Sequence, residues 1–193
     1  ARCIYRFLDE RGAANFEDCG VLTLLVRSSE EQGQPLTRLE LRDQLFTLYF
    51  AGHETSATAM CWIHYLLHEH PQIRERMFAE VRSVLQGRTP TAPDLGKLVY
   101  TDQVVQESLR LYSPIHSISR VAAVDNDLGG YRIRAGTTIY VSMYATHRLK
   151  EHWPDPERFD PERFTPELCA KRPRFAYIPF AAGHRNCIGG TQA

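Results

Sequence analysis

Phe180-Ala-Ala-Gly183-His-Arg185-Asn-Cys187-Ile-Gly189, here called the cysteine loop, is the stretch of the 193-residue chain from which the fold follows. Its cysteine lies in a turn between glycines, and glycine lets the backbone approach a flat cofactor closely. A cysteine thiolate holds and activates a metal, and nearby backbone N–H groups favour the anionic sulfur. The arginine is placed to pair with an anionic edge of a cofactor. Taken alone, the cysteine has a second interpretation as a buried structural thiol.

The cysteine loop resembles the F-x-x-G-x-R-x-C-x-G signature of the cytochrome P450 family. Five fixed positions at ordinary residue frequencies coincide by chance on the order of once in a few million placements. The resemblance implies that Cys187 is the axial thiolate ligand of the iron of haem b (iron protoporphyrin IX). It also implies that Phe180, Gly183, Arg185 and Gly189 bind this cofactor.

A second segment, Ala51-Gly52-His-Glu54-Thr55-Ser56, is similar to the oxygen-activating signature of the same family. A threonine inside a helix can bond back to the carbonyl four residues earlier, here that of Ala51, and bend the helix. Glycine at position 52 loosens the same turn. The resemblance implies that Glu54 and Thr55 are catalytic and deliver protons for dioxygen activation, and that Ala51 lies against the haem. A merely polar helix face is the alternative interpretation.

Two further segments match the family in the expected order. Glu107 and Arg110 are three residues apart on a predicted helix and can form an ion pair. The resemblance implies that Arg163, in the proline-rich segment 153–166, joins them in a structural network beneath the cysteine loop. Charges at that depth require mutual pairing. The resemblance also implies that Arg120 contacts a haem propionate, with a surface arginine as the alternative.

The remaining histidines and basic residues carry weaker signals. His64 and His68 have metal-binding spacing, but no third ligand is evident, so a solvated helix face is expected. His147 and Arg148 match a recurrent family segment in which the histidine packs or forms hydrogen bonds. A basic landing patch for an electron donor, or else scattered solvated charges, is expected from Arg148, Lys150, Arg172, Arg174 and Arg185.

Periodicity predicts a mainly α fold with a small β module. The capping-box pattern at Thr37–Glu40 starts a helix of about thirty residues that ends before Pro71. Other helices are predicted over 17–31, over 71–87, and from Thr101 or Asp102 to Tyr112. The alternating residues 131–134 and the β-branched stretch 138–142 predict a hairpin. By the family resemblance, residues 1–193 form a partial cytochrome P450 domain, incomplete at both ends.

Composition and charge argue against several classes of function. The formal net charge is zero, which gives no bulk attraction for nucleic acid or anionic membranes. The five cysteines are odd in number and include no C-x-x-C pair, which argues against a disulfide framework or a zinc knuckle. Outside the cysteine loop, inert buried thiols in a reducing compartment are expected at Cys3, Cys19, Cys61 and Cys169.

Localisation is inferred from the same sequence. No apolar run is long enough to span a bilayer, and the N-terminus has no signal-peptide pattern. The chain opens without a methionine and stops after a glycine-rich turn, so both ends look cut. A soluble protein of the bacterial cytoplasm is favoured, with a membrane anchor upstream of Ala1 as the alternative.

The resemblance implies a monooxygenase that inserts one atom of O2 into a lipophilic small molecule. Electrons would come from NAD(P)H through a ferredoxin or a flavoprotein reductase, and the fragment by itself is expected to be inactive. Two alternatives stay open: a haem-thiolate isomerase or dehydratase, and a haem-binding sensor without turnover. Glu54 and Thr55 argue against the isomerase, because such an enzyme has no use for proton delivery.

Overall fold

The computed structural model describes residues 4–6 and 20–190. The chain divides into two compact units, Ala1–Glu54 and Thr55–Ala193. The described helices are α1 (Val21–Glu31), α2 (Arg38–Glu69), α3 (Pro71–Leu85), α4 (Val99–Leu111), α5 (Met143–Thr146) and α6 (Pro166–Lys171). The described strands are β1 (Ser117–Val121), β2 (Asn126–Leu128), β3 (Tyr131–Ile133) and β4 (Thr138–Ser142). Short 3-10 helices cover Ala92–Lys97, Pro161–Phe164 and Gly183–Arg185. The prediction of a mainly α fold with a small β part is confirmed.

Helix α2 begins where the capping-box pattern predicts. The Thr37 N–H donates to Glu40 Oε2 at 2.8 Å, and the Glu40 N–H donates to Thr37 Oγ1 at 3.3 Å. These bonds satisfy amides that the first turn of a helix leaves without a partner. The helix is 32 residues long, and Pro71 then opens α3 in the first turn, where its missing N–H costs nothing. Of the helix predicted over 17–31, residues 17–19 lie outside the described residues.

Helix α4 begins earlier than predicted, because its cap comes from another helix. Glu80 of α3 accepts the N–H of Tyr100 at 2.7 Å and the N–H of Thr101 at 2.8 Å. A carboxylate at this position also interacts favourably with the helix dipole. The prediction that Thr101 or Asp102 caps the helix was therefore wrong, and the helix starts at Val99.

The β part differs from the predicted hairpin. Strand β1 pairs antiparallel with β4, and β2 pairs antiparallel with β3. Gly129 and Gly130 connect β2 to β3 with φ of +60° and +85°, the angles of a tight two-residue hairpin turn. The predicted pairing of 131–134 with 138–142 was wrong, because this glycine pair turns the first stretch back on residues 126–128.

The core of the second unit gathers around α4. It combines the end of α2 with α4 and the proline-rich segment, in a cluster of Leu66, Leu67, Tyr100, Val104, Leu111 and Phe159. Among the largest fully buried side chains are Arg110, Glu107 and His147. Polar groups at this depth need hydrogen-bond partners, so each of these three residues must be bonded within the fold.

Two further features bear on the sequence predictions. Cys61 and Cys169 are exposed, which corrects the expectation that they are buried, while Cys3 and Cys19 lie outside the described residues. None of the described helices has the length and apolar character needed to cross a bilayer.

Candidate functional site

The cysteine loop is closed by its own backbone. The Cys187 N–H donates to the Phe180 carbonyl at 2.9 Å, and the Ala181 N–H donates to the Ile178 carbonyl at 3.0 Å. The chain bends through φ of +61° at Ala181 and +74° at Gly183. Glycine adopts this conformation freely, whereas a residue with a Cβ does so at a cost of about 1–2 kcal/mol. The bend brings the Phe180 carbonyl to the amide of the cysteine.

The surroundings of the Cys187 sulfur fit a flat group bound through it. The cysteine is exposed. A Cβ added at Gly189 would lie 3.8 Å from Cys187 Sγ, so a side chain there would occupy the space beside the sulfur. A Cβ added at Gly190 would lie 3.3 Å from Phe180 Cγ, which shows how closely this backbone packs on the aromatic ring. The donor and the open space beside it therefore suit an iron porphyrin.

The two arginines predicted for the acidic edge of the cofactor are exposed. Arg185 lies in the 3-10 turn of the cysteine loop, and within the described part of the chain its guanidinium has no hydrogen-bond or ion-pair partner. Arg120 lies on β1 and donates from Nη1 to the Ser119 carbonyl at 2.7 Å. Both retain N–H groups that can bind an anionic ligand.

Helix α4 carries a fully buried ion pair. Arg110 Nε donates to Glu107 Oε2 at 2.6 Å, and Arg110 Nη2 donates to Glu107 Oε1 at 2.8 Å. The remaining guanidinium N–H groups donate to the carbonyls of His147 at 2.8 Å, Pro156 at 2.8 Å and Arg158 at 3.2 Å. Every N–H of this guanidinium thus has an acceptor, the condition under which a buried charge is tolerated.

Glu107 also connects the Glu107–Arg110 ion pair to the proline-rich segment. The Asp160 N–H donates to Glu107 Oε1 at 2.9 Å, and Arg163 Nε lies 3.4 Å from the same oxygen without a hydrogen bond to any described atom. Arg163 Nη2 instead donates to the Asp155 carbonyl at 2.9 Å. The structure therefore brings Glu107, Arg110 and Arg163 together. Burial raises the pKa of Glu107, and the hydrogen bonds from Arg110 oppose that rise.

His147 is fully buried and joins α4 to the segment that leads into the cysteine loop. Its Nε2 accepts the N–H of Ile178 at 2.9 Å, and its Nδ1 lies 3.2 Å from the Arg110 carbonyl. A ring nitrogen that accepts a hydrogen bond carries no proton. The proton of the neutral imidazole is therefore on Nδ1, which donates to the Arg110 carbonyl. The expectation that this histidine forms hydrogen bonds is confirmed, but its partner 31 residues ahead has no local sequence signal.

His147 should make folding stability depend on pH. Burial lowers the pKa of His147 to about 4, from a usual value of 6.5. Below about pH 6.5 the unfolded chain therefore takes up a proton that the folded chain does not bind until about pH 4. Stability should fall across that window by roughly 3 kcal/mol.

Urea unfolding of the full-length protein and of His147→Gln between about pH 7 and about pH 4.5 measures this contribution. The glutamine variant should lose less stability than the wild type as the pH falls. Glu107 has the opposite effect in both proteins: its pKa is raised, so its protonation makes stability rise as the pH falls. Parallel pH dependences for the two proteins would contradict the assignment.

Trp153, at the start of the proline-rich segment, is a fully buried aromatic side chain that contacts two arginines. The Arg172 guanidinium lies 4.1 Å from the Trp153 ring centroid, and that of Arg110 lies 5.0 Å from it. Trp153 Nε1 donates to the Ala176 carbonyl at 3.3 Å. Arg172 also donates to the Arg163 carbonyl, and burial lowers the pKa of Arg172. This stack fixes the chain just before the cysteine loop.

These contacts change the predicted landing patch. Arg172 is engaged with Trp153, and the Arg148 side chain is only 10% exposed, pairs with Glu157 at 2.8 Å and lies over Tyr144. Both therefore serve internal packing, which corrects their assignment to an exposed basic surface. The patch is reduced to the exposed residues Lys150, Arg174 and Arg185.

Helix α2 carries the predicted oxygen-activating segment. Ala51 and Glu54 are exposed in the first unit, and Thr55, half-buried, begins the second. Their placement relative to the cysteine loop stays a prediction. His64 and His68, farther along α2, are exposed, and the described residues contain no cluster of three or more metal-ligating side chains.

The chain is similar to proteins of one family. A family model described as cytochrome P450 matches residues 6–193. Cyclooctat-9-en-7-ol 5-monooxygenase of Streptomyces melanosporofaciens is 41% identical over 185 residues, which cover 95% of this chain and 40% of that protein. Pentalenene oxygenase of Streptomyces avermitilis is 40% identical over 169 residues, which cover 88% of this chain and 38% of that protein.

A solved structure gives the same result for the fold. The retinoic acid-bound cyanobacterial CYP120A1 matches with a TM-score of 0.91 and 35% identity, over 98% of this chain and 44% of that one. The chain thus spans about two fifths of the length of the curated relatives it matches.

Proposed function

This chain belongs to the cytochrome P450 family, and from that premise we propose that the full-length protein is a haem-thiolate monooxygenase. It would insert one atom of O2 into a lipophilic small molecule and reduce the other to water. The observation that carries the proposal is the exposed Cys187, closed in a loop on the Phe180 carbonyl, with glycine beside its sulfur. Two relatives named as a monooxygenase and an oxygenase support the reaction class.

The cofactor in this proposal is haem b, held by the cysteine loop. Bound haem with a thiolate ligand supplies dioxygen activation and favours O–O cleavage. Cys187 provides the sulfur, and Gly189 leaves the space beside it free. Arg185 and Arg120 are proposed to bind the propionates, since both carry exposed guanidinium groups.

Proton delivery is assigned to helix α2. Glu54 is proposed to take up protons from solvent, because its carboxylate is exposed on the helix. Thr55 is proposed to hold a proton on its hydroxyl and pass it toward the dioxygen substrate. Ala51, one helical turn earlier, is proposed to lie against the haem. The two catalytic roles suit a reaction that consumes protons.

The redox partner and the location complete the proposal. A ferredoxin or a flavoprotein reductase would pass electrons from NAD(P)H on the side of the cysteine loop. The exposed residues Lys150 and Arg174, which are not assigned to the cofactor, would attract an acidic surface of that partner. We place the protein in a bacterial cytoplasm, a proposal supported by the Streptomyces relatives. Cell fractionation of the native host tests it.

The reaction class is tested by dioxygen uptake and product formation by the full-length protein. With a reductase, NADPH and a panel of lipophilic substrates, at least one substrate should give a hydroxylated product. Use of 18O2 should place one labelled oxygen atom in that product. A rearranged or dehydrated product formed without NADPH or dioxygen would favour an isomerase or dehydratase and contradict the proposal.

Thr55→Val should separate dioxygen consumption from hydroxylation. Valine keeps the shape of the side chain but cannot hold a proton, so product formation should fall by about 10²-fold. Electrons from NADPH should then appear as hydrogen peroxide. Thr58 is a half-buried threonine on the same helix, and Thr58→Val is the matched control. This variant should keep the wild-type ratio of product formed to NADPH consumed. An equal ratio of product formed to NADPH consumed in the two variants would contradict the catalytic role of Thr55.

A further inference from the structure

His147 lies at a junction of three segments. Its backbone carbonyl accepts Arg110 Nη1 at 2.8 Å, and its own Nδ1–H donates to the Arg110 carbonyl at 3.2 Å. The two residues are therefore bonded in both directions. Because Arg110 is itself bonded to Glu107, the imidazole is attached to the fully buried ion pair of α4.

The other side of the imidazole binds the chain just before the cysteine loop. Nε2 accepts the N–H of Ile178 at 2.9 Å. The Ile178 carbonyl then accepts the Ala181 N–H at 3.0 Å, and the Phe180 carbonyl accepts the Cys187 N–H at 2.9 Å. A short series of bonds thus leads from the imidazole to the backbone of the cysteine.

We propose that His147 is a positioning residue for the Cys187 thiolate. Its imidazole fixes the chain at Ile178, two residues before the cysteine loop, to the Glu107–Arg110 pair, and so holds the sulfur in the position from which it would bind haem iron. This inference rests on the proposed haem-thiolate function.

The chemistry of the junction explains why a histidine stands there. The position requires a donor and an acceptor at opposite ends of one rigid side chain, which neutral imidazole provides. The ring also packs against Tyr177, with centroids 5.3 Å apart. Protonation would convert the acceptor into a donor and repel the Ile178 N–H, and the lowered pKa of His147 opposes this.

Two variants of similar volume test the proposal in the full-length, haem-loaded protein. His147→Gln keeps an amide oxygen that can accept from Ile178, whereas His147→Leu removes both bonds. The first readout is the thiolate-type absorption band of the reduced carbon monoxide complex, normalised to bound haem. The second is amide hydrogen exchange resolved at Ile178.

The leucine variant should lose most of the normalised thiolate band, and its Ile178 amide should exchange about tenfold faster. The glutamine variant should retain the band and most of the protection. A role confined to stability would lower the melting temperature of both variants and leave the normalised band unchanged in each. That result, with a normal band in the wild type, overturns the inference while the proposed function stands.

The remaining outcomes are also decisive. A wild-type protein without any thiolate band rejects the proposed function and the inference with it. Should the leucine variant fail to fold, the Ile178 amide of the wild type decides. Slow exchange of the Ile178 amide in both the wild type and the glutamine variant supports the proposed attachment of Ile178 to residue 147. Exchange as fast as that of the exposed loop amides overturns it.

Discussion

Replacing Arg110 by leucine should lower the free energy of unfolding of the full-length protein by about 3–5 kcal/mol. The change removes the hydrogen-bonded counter-charge of the fully buried Glu107 carboxylate and leaves only Arg163, whose Nε lies 3.4 Å from Glu107 Oε1. It also removes the donors to the carbonyls of His147, Pro156 and Arg158. Because typical domains are stable by only about 5–15 kcal/mol, much of the protein should be recovered unfolded or without haem. Urea unfolding followed by circular dichroism measures the loss.

Arg158→Leu is the matched control for this prediction. The Arg158 side chain is 68% exposed and lies 3.7 Å from Asp160, an arrangement that contributes at most about 1 kcal/mol. Arg110→Lys should fall between the two, because lysine keeps the charge but cannot supply five N–H donors in a plane. A leucine variant at Arg110 as stable as the Arg158 control would contradict the structural role of the buried pair.

Replacing Cys187 by alanine should abolish product formation. The sulfur is the donor that the cysteine loop presents, and alanine offers no lone pair in its place. Haem content should also fall, because the axial bond is lost. Product formation and bound haem are measured on the purified full-length variant with the same reductase as the wild type.

Cys169→Ala provides the control, since Cys169 is also exposed but lies on α6, outside the cysteine loop. This variant should keep wild-type haem content and turnover. If Cys187→Ala retained product formation while Cys169→Ala lost it, the ligand would have been assigned to the wrong cysteine.

Local patterns in the sequence were sufficient for much of the fold and the site. The capping box at Thr37–Glu40 predicts the start of α2 because both partners lie within one helical turn. Glu107 and Arg110 form their ion pair at a spacing that α4 itself imposes. The cysteine loop carries its glycines, arginine and cysteine in one short segment, so the pattern was complete in the sequence.

Contacts between distant segments could not be predicted from local patterns in the sequence. Glu80 caps α4 from α3, and nothing near Thr101 indicates that an outside carboxylate replaces a local cap. Arg172 reads as a surface charge in sequence, yet Trp153 holds it by a contact that depends on the folded proline-rich segment. The bond between His147 and Ile178 is of the same kind, because only tertiary structure brings the two together.

The most direct test of the account is the absorption spectrum of the reduced carbon monoxide complex of the full-length protein, expressed with adequate porphyrin supply. Iron held through the sulfur of Cys187 should give the long-wavelength band typical of thiolate-ligated haem, and Cys187→Ala should abolish it. A colourless wild-type protein, a band typical of imidazole ligation, or an unchanged spectrum in Cys187→Ala would contradict the account.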